Sequence, residues 1–221
     1  MSKTKVAFFV FVLVSMLDIV GIIFSIQLLV YIFKPLIIFS LLFLYVFSLP
    51  KRNKWYVIAL ELSFIGDVLL MFTGKLFFIS GLVSFLLAHI LFIKIVLSRI
   101  KKVNFSKLII SVTPFLGAFI LLIFTLKDDL HEMLWPVIIY GLTISTFGVI
   151  SLLDYMNTKS KESMFMFFGA ITFMISDSIL AINKFYNPAH ILEVIVMTTY
   201  VFAQFFIFKS MILSFKESKL K

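Results

Sequence analysis

Apolar residues run in long blocks along the whole chain, and polar residues gather in short clusters between them. The blocks fall at 6–24, 35–49, 55–72, 77–98, 108–126, 133–153, 164–182 and 190–213. Runs of this length and apolarity predict membrane-crossing helices. The expected fold class is an all-α, eight-span transmembrane helical bundle, a single integral membrane domain over 1–221. Pro35 sits where a helix start tolerates it, because its missing donor is unpaired there anyway. Residues 25–34 then read as a short turn region, and Pro114 as a kink in the fifth span. The first block follows Lys3 and Lys5 and resembles a secretory signal in outline. No small-residue cleavage site follows it and Asp18 lies within it, so it reads as a span.

The charges sharpen this picture. With eight spans the connecting segments alternate sides. One side holds Lys3, Lys5, Lys51, Arg52, Lys54, Arg99, Lys101, Lys102, Lys107, Lys159, Lys161, Lys216, Lys219 and Lys221, which makes 14 basic residues. The other holds four: Lys34, Lys75, Lys127 and Lys184. Lys94 and Lys209 lie near the first side and can snorkel to it. The positive-inside rule places both termini in the cytoplasm and the protein in the cell membrane. A net charge of +9 would suggest nucleic acid in a soluble chain. Here the positions of the charges account for it, and no nucleic-acid partner is expected. Apolar residues make up 62% of the chain and 29 residues are Phe, which suits a lipid-facing shell and leaves no polar block for a soluble domain. Cysteine is absent, which excludes disulfides, thiol nucleophiles and cysteine-ligated metals.

The candidate chemistry lies inside the apolar blocks. Residues 61–71, ELSFIGDVLLM, carry Asp67 after Gly66, and residues 169–181, GAITFMISDSILA, carry Asp177. Ionised groups are expensive in hydrocarbon, so an acid within a span points to a bundle interior or a wet cavity. At about 1.5 Å per residue, Asp67 lies about 18 Å and Asp177 about 20 Å from the cytoplasmic ends of their spans. The two acids share a height, and neither has a basic residue one turn away on its own helix. They are expected to approach each other across a cavity in the outer half of the bundle. Glu193, Met197, Tyr200 and Gln204 follow at helical spacing and form a stripe descending toward the same depth. Structural readings suit other polar groups. Asp18, Lys34 and Glu193 lie near an interface and can simply be wet. Glu61 can pair with Lys94 or Lys209. His89 can be a helix-packing residue, and Gly81, Ser84 and Ala88 form a small-residue face for close packing.

Several stretches together resemble the YhhN-like lysoplasmalogenase family of membrane proteins. They are Lys34-Pro35, SFIGDVLLM at 63–71, FISGLVSFLLAHILFI at 78–93, GAITFMISDSILAINKF at 169–185, and Thr199-Tyr200 with Gln204. The resemblance implies an eight-span hydrolase that cleaves the vinyl ether bond of lysoplasmenyl-ethanolamine or -choline. The products are a fatty aldehyde and a glycerophospho-head group. It implies that Asp67 and Asp177 are the catalytic pair.

Vinyl ether hydrolysis begins with protonation of the outer carbon, which gives an oxocarbenium ion to which water adds. One acid must hold a proton and one carboxylate must stabilise positive charge and activate water, and two nearby acids can divide these roles. Lys34 is the candidate for the substrate phosphate. Tyr200, Gln204 and His89 are candidates for orienting head group or water, and Glu193 and Asn183 complete the candidate substrate-binding set. No metal or other cofactor is needed, and His131 and His190 lie in or beside outer loops. The expected partners are a lysophospholipid and the bilayer. A small proton-coupled transporter, or a non-catalytic lipid-binding protein, would also place acids within spans; a transporter predicts broken helices at matched repeat positions.

Overall fold

The computed structural model describes residues 2–218. Among them all regular structure is helical. The α-helices are α1 (Lys3–Ile23), α2 (Gln27–Ser48), α3 (Lys54–Leu70), α4 (Lys75–Leu97), α5 (Phe105–Leu130), α6 (Leu134–Thr158), α7 (Lys161–Phe185) and α8 (His190–Ser218). A 3-10 turn, His131–Met133, joins α5 to α6. Lys219 and Lys221, counted above with the basic side, lie outside the described residues. Six stretches are long and apolar enough to cross a membrane. One of them, Phe105–Thr158, is 54 residues long and contains α5, the 3-10 turn and α6. α3, at 17 residues, is not among the six.

Several helices outrun their apolar blocks. A backbone leaving hydrocarbon must satisfy its donors and acceptors internally, so helices continue until polar side chains can take over. Ser2, Asn53, Asn104 and Ser160 do this at the starts of α1, α3, α5 and α7, where their side chains accept from first-turn N–H groups. The turn region expected at 25–34 is mostly helix. The α1–α2 turn is tight, with the Ile26 N–H donating to Gly21 O at 2.8 Å. α2 starts at Gln27, so Pro35 lies inside the helix and Lys34 projects from it rather than from a loop. Pro114 likewise lies inside α5, which continues on both sides of it.

Helix neighbours define the architecture. α1, α2, α3, α4, α6, α7 and α8 pack successively, and α8 returns to α1, which closes a ring. α5 stands outside the ring against α6 and α7. Cross-links between connections define two poles. At the first, His190 Nε2 donates to the Ile22 carbonyl (2.7 Å), and Lys75 pairs with Glu132. These contacts bring together the α1–α2, α7–α8, α3–α4 and α5–α6 connections. At the second pole, Arg99 donates to Ser210 Oγ of α8 (3.1 Å), Asn157 Nδ2 donates to Lys102 O (3.2 Å), and Thr4 Oγ1 donates to Phe47 O (2.9 Å).

Two glycines allow close helix approaches near the acids. A Cβ on Gly66 would fall 2.6 Å from the Phe85 ring, so α3 and α4 meet only because that position is bare. A Cβ on Gly169 would meet Ile207 Cγ1 at 2.6 Å and the backbone of α8 at 3.1 Å. These contacts set the depth at which Asp67 and Asp177 face the ring interior.

Two expectations about charged groups change here. Asp18 is not wet: its residue is 0% exposed, and both carboxylate oxygens are buried without a hydrogen-bond partner among the described residues. Glu61 is exposed and does not pair with its two candidates. Lys94 Nζ instead sits 3.5 Å from the Trp55 ring centroid, and Lys209 Nζ 5.2 Å from that of Phe205, where each cation meets the negative face of a ring.

Candidate active site

Near the first pole the ring encloses a cavity of about 150 Å³. Its polar walls are Lys34, Asp67, Tyr140, Ser176, Asp177, Lys184 and Tyr200. Asp67 sits three residues before the end of α3, and Asp177 two turns before the end of α7. Both acids therefore line one chamber, supplied by helices that are not neighbours in the ring.

Each acid is held by a phenol from another helix. Tyr200 of α8 donates to Asp67 Oδ2 at 2.7 Å, and Gln204 Nε2 donates to Tyr200 Oη from one turn below at 3.4 Å. Tyr140 of α6 donates to Asp177 Oδ2 in a short hydrogen bond. A phenol donor fixes one oxygen of a carboxylate and leaves the other free for substrate or water. Asp67 is 4% exposed, whereas Asp177 is half-buried. Lys34 is the cation whose charge reaches Asp67, and the charges of Asp18 and Asp177 reach it as well. The site is thus a charged cluster, with the ammonium groups of Lys34 and Lys184 where the chamber meets the wider space beyond it.

His89 lies beneath the chamber. Its Nδ1 donates to the Phe85 carbonyl at 2.8 Å, and its Nε2 is buried without a partner. The ring packs edge-on against Phe173 (4.5 Å between centroids) and Tyr140 (5.7 Å). His89 therefore touches the Tyr140 that holds Asp177 and does not itself line the cavity.

A second, wider cavity of about 560 Å³ opens from the chamber toward the first pole. Lys34, Lys184, Leu70, Leu180, Val196 and Met197 wall both spaces. Glu193, Asn183 and His190 line this vestibule. Asn183, expected in a loop, lies in the last turn of α7. Its Oδ1 accepts from the Ala189 N–H at 2.7 Å, so its amide is engaged in shaping the α7–α8 turn. In the exposed turn between α5 and α6, the Lys75 ammonium beside Glu132 holds that carboxyl below the usual glutamate range.

The structure thus brings Asp67, Asp177, Lys34 and Tyr200 to one chamber, with Gln204 behind Tyr200, and puts Glu193 and Asn183 in the vestibule. Sequence reasoning missed Tyr140 and Lys184. Tyr140 is a lone phenol inside an apolar block, whereas Tyr200 stood out through its stripe with Glu193 and Gln204. Lys184 was assigned only to a loop, but α7 continues to Phe185 and carries its side chain over the Phe78 ring (4.5 Å) at the chamber wall. Among the described residues, no three His, Cys, Asp or Glu side chains gather as a metal cage.

Fold and site together define a multi-pass helical membrane protein with two tyrosine-held carboxylates in a chamber open to one pole. The chain belongs to the YhhN family, whose sequence profile matches residues 29–211, from the start of α2 into α8. No curated protein and no solved structure matches it. α1, with the buried Asp18, precedes the matched region.

Proposed function

We propose that this protein is a membrane-embedded hydrolase that cleaves the vinyl ether bond of lysoplasmalogens with Asp67 and Asp177 as its acid–base pair. The observation that carries this reading is the order of the cavities. A charged vestibule leads to a chamber with two acids, and the chamber meets apolar surface beyond them. A lysolipid has the same order: charged head group, scissile bond, hydrocarbon tail. The YhhN family is the lysoplasmalogenase family, which supports the choice of bond.

In this reading one acid delivers its proton to the outer carbon of the C=C–O unit. The resulting oxocarbenium ion is stabilised by the other carboxylate, which takes a proton from the water that adds to the carbon bearing oxygen. The hemiacetal then collapses to an aldehyde and the free glycerol hydroxyl. The tyrosines keep each carboxylate in one orientation, and Lys34 with Lys184 attracts the substrate phosphate. The eight helices are read as eight spans with both termini in the cytoplasm, supported by the skew of basic residues toward one side of the chain's connections. Reporter fusions at Lys102 and Asp128 then report opposite sides.

The test of function is direct. Purified protein offered lysoplasmenyl-ethanolamine or -choline releases fatty aldehyde without added metal or nucleotide. Asp67→Asn and Asp177→Asn each lower the rate about 10²–10⁴-fold, the range for a lost general acid or base. Wild-type protein inert on every vinyl ether, or aspartate variants with full activity, would overturn the reading.

A further inference from the structure

The chamber has a second wall of interest. Asp177, Tyr140, Val137 and Ala181 line the acid chamber and also a small cavity of about 40 Å³ beneath α5. The far walls of that cavity are apolar: Phe119, Leu122 and Ile123 of α5, Gly141 and Ile144 of α6, and Met174 of α7. α5 is held firmly at two places. Toward the second pole, Phe115 covers Gly148 so closely that a Cβ there would lie 2.2 Å from its ring. Toward the first pole, Leu126 and Leu130 form a cluster with Val137. The stretch between these anchors covers the cavity, and its outer side faces away from the protein: Leu121 is 67% and Phe124 69% exposed. Gly141 is bare just where the Phe119 ring lies over it, at 2.7 Å from an added Cβ.

We propose that this cavity receives the first carbons of the substrate's hydrocarbon chain, which then leaves the protein for the lipid between α5 and α6 past Phe119. The inference rests on the hydrolase reading and adds the subsite that reads the tail. The occupant is a long unbranched hydrocarbon, for two reasons. The cavity shares Asp177 and Tyr140 with the acid chamber as common walls, and the lining beyond them supplies no polar side chain except Ser145 and Ser178. It is also far too small for a whole chain, so all but the nearest carbons must lie among lipids. α5 stands outside the ring, so it is a wall that can yield without opening the bundle. The Phe119 ring is the part that must shift, since it lies over Gly141 at the α5–α6 contact.

Two variants and one label test this. Gly141→Leu fills the cavity; it cuts kcat/KM for a 16-carbon alkenyl substrate at least tenfold, while an analogue with a two-carbon vinyl group keeps its rate within about twofold. Phe119→Ala widens it; this variant cleaves a chain methyl-branched near the vinyl group that the wild type rejects. Asp67→Asn protein in nanodiscs is also photolabelled with an alkyl-ether lysophosphatidylethanolamine carrying a diazirine near the ether. The label falls on α5, α6 and α7 peptides. If Gly141→Leu slows short and long substrates equally and Phe119→Ala admits no branched chain, the tail subsite is wrong while aldehyde release keeps the hydrolase reading intact. Labelling confined to α1 and α2 peptides overturns it as well. If the wild type cleaves no vinyl ether of any length, the hydrolase reading itself falls and takes the tail subsite with it.

Discussion

Asp67 and Asp177 are built alike and placed differently. Each sits near the first-pole end of its helix, and each accepts a hydrogen bond from a tyrosine on another helix. Asp67, however, is the more deeply buried: Gly66 draws the Phe85 ring against its helix, and Gln204 supports its tyrosine from below. Asp177 is half-buried and borders two cavities. The same chemical unit thus appears once deeply buried and once half-buried. On the proposed hydrolase reading, the difference suits two acids with unequal tasks: one keeps its proton, and the other meets the water that reacts.

The strongest way to break the comparison is kinetic. Asp67→Asn/Asp177→Asn is expected to lose no more aldehyde-releasing activity than the worse single variant, because members of one catalytic unit are far from additive. Losses that multiply would mean that the two acids act apart. Next come the tyrosines. Tyr200→Phe leaves a deeply buried carboxylate and the Gln204 amide without their shared partner and is expected to cost about 1–3 kcal/mol in thermal unfolding. Tyr140→Phe is expected to cost less, since Asp177 is the less buried of the two acids. Equal losses would erase the distinction between the deeply buried acid and the half-buried one. Gly66→Ala forces the Phe85 ring away and is expected to cost about 1–3 kcal/mol by overpacking, visible as a lowered Tm. The smallest effect belongs to the Lys75–Glu132 pair. Its carboxyl titrates below the usual range, so any stabilisation is present above that range and fades as pH falls through the lowered value. Both side chains are exposed, so Lys75→Ala is expected to leave Tm unchanged at pH 7 and at pH 5.

The helical fold was legible in the sequence because hydrocarbon leaves a backbone few options, and eight apolar blocks separated by polar clusters correspond to eight helices. Helix ends were less legible. The expected start at Pro35 followed a sound rule about proline, but the demand for internally satisfied backbone carried α2 back to Gln27, and Lys34 moved from a loop to a helix flank. Asp67 and Asp177 stood out because an acid in an apolar block is costly wherever it sits. Asp18 carried the same signal, but its place near a block end made it read as wet, and only packing against the rest of the ring shows it fully buried. Tyr140 and the α5 cavity lay beyond reach for a different reason. Tyr140 depends on α6 packing beside α7, and the cavity on α5 standing outside the ring, and no pattern along one helix reports its neighbours.

The closure of that ring has a consequence for how the protein comes to exist. α8 is the last helix of the described chain to emerge from the ribosome, yet it packs against α7, α1 and α2 and brings Tyr200 to Asp67. Until it docks, the first seven helices form an open arc whose interior is accessible to lipid, and Asp67 has no tyrosine partner. The chamber is therefore a late product of biogenesis: a chain truncated before α8 can insert its earlier helices in the membrane and still lack the phenol that holds Asp67.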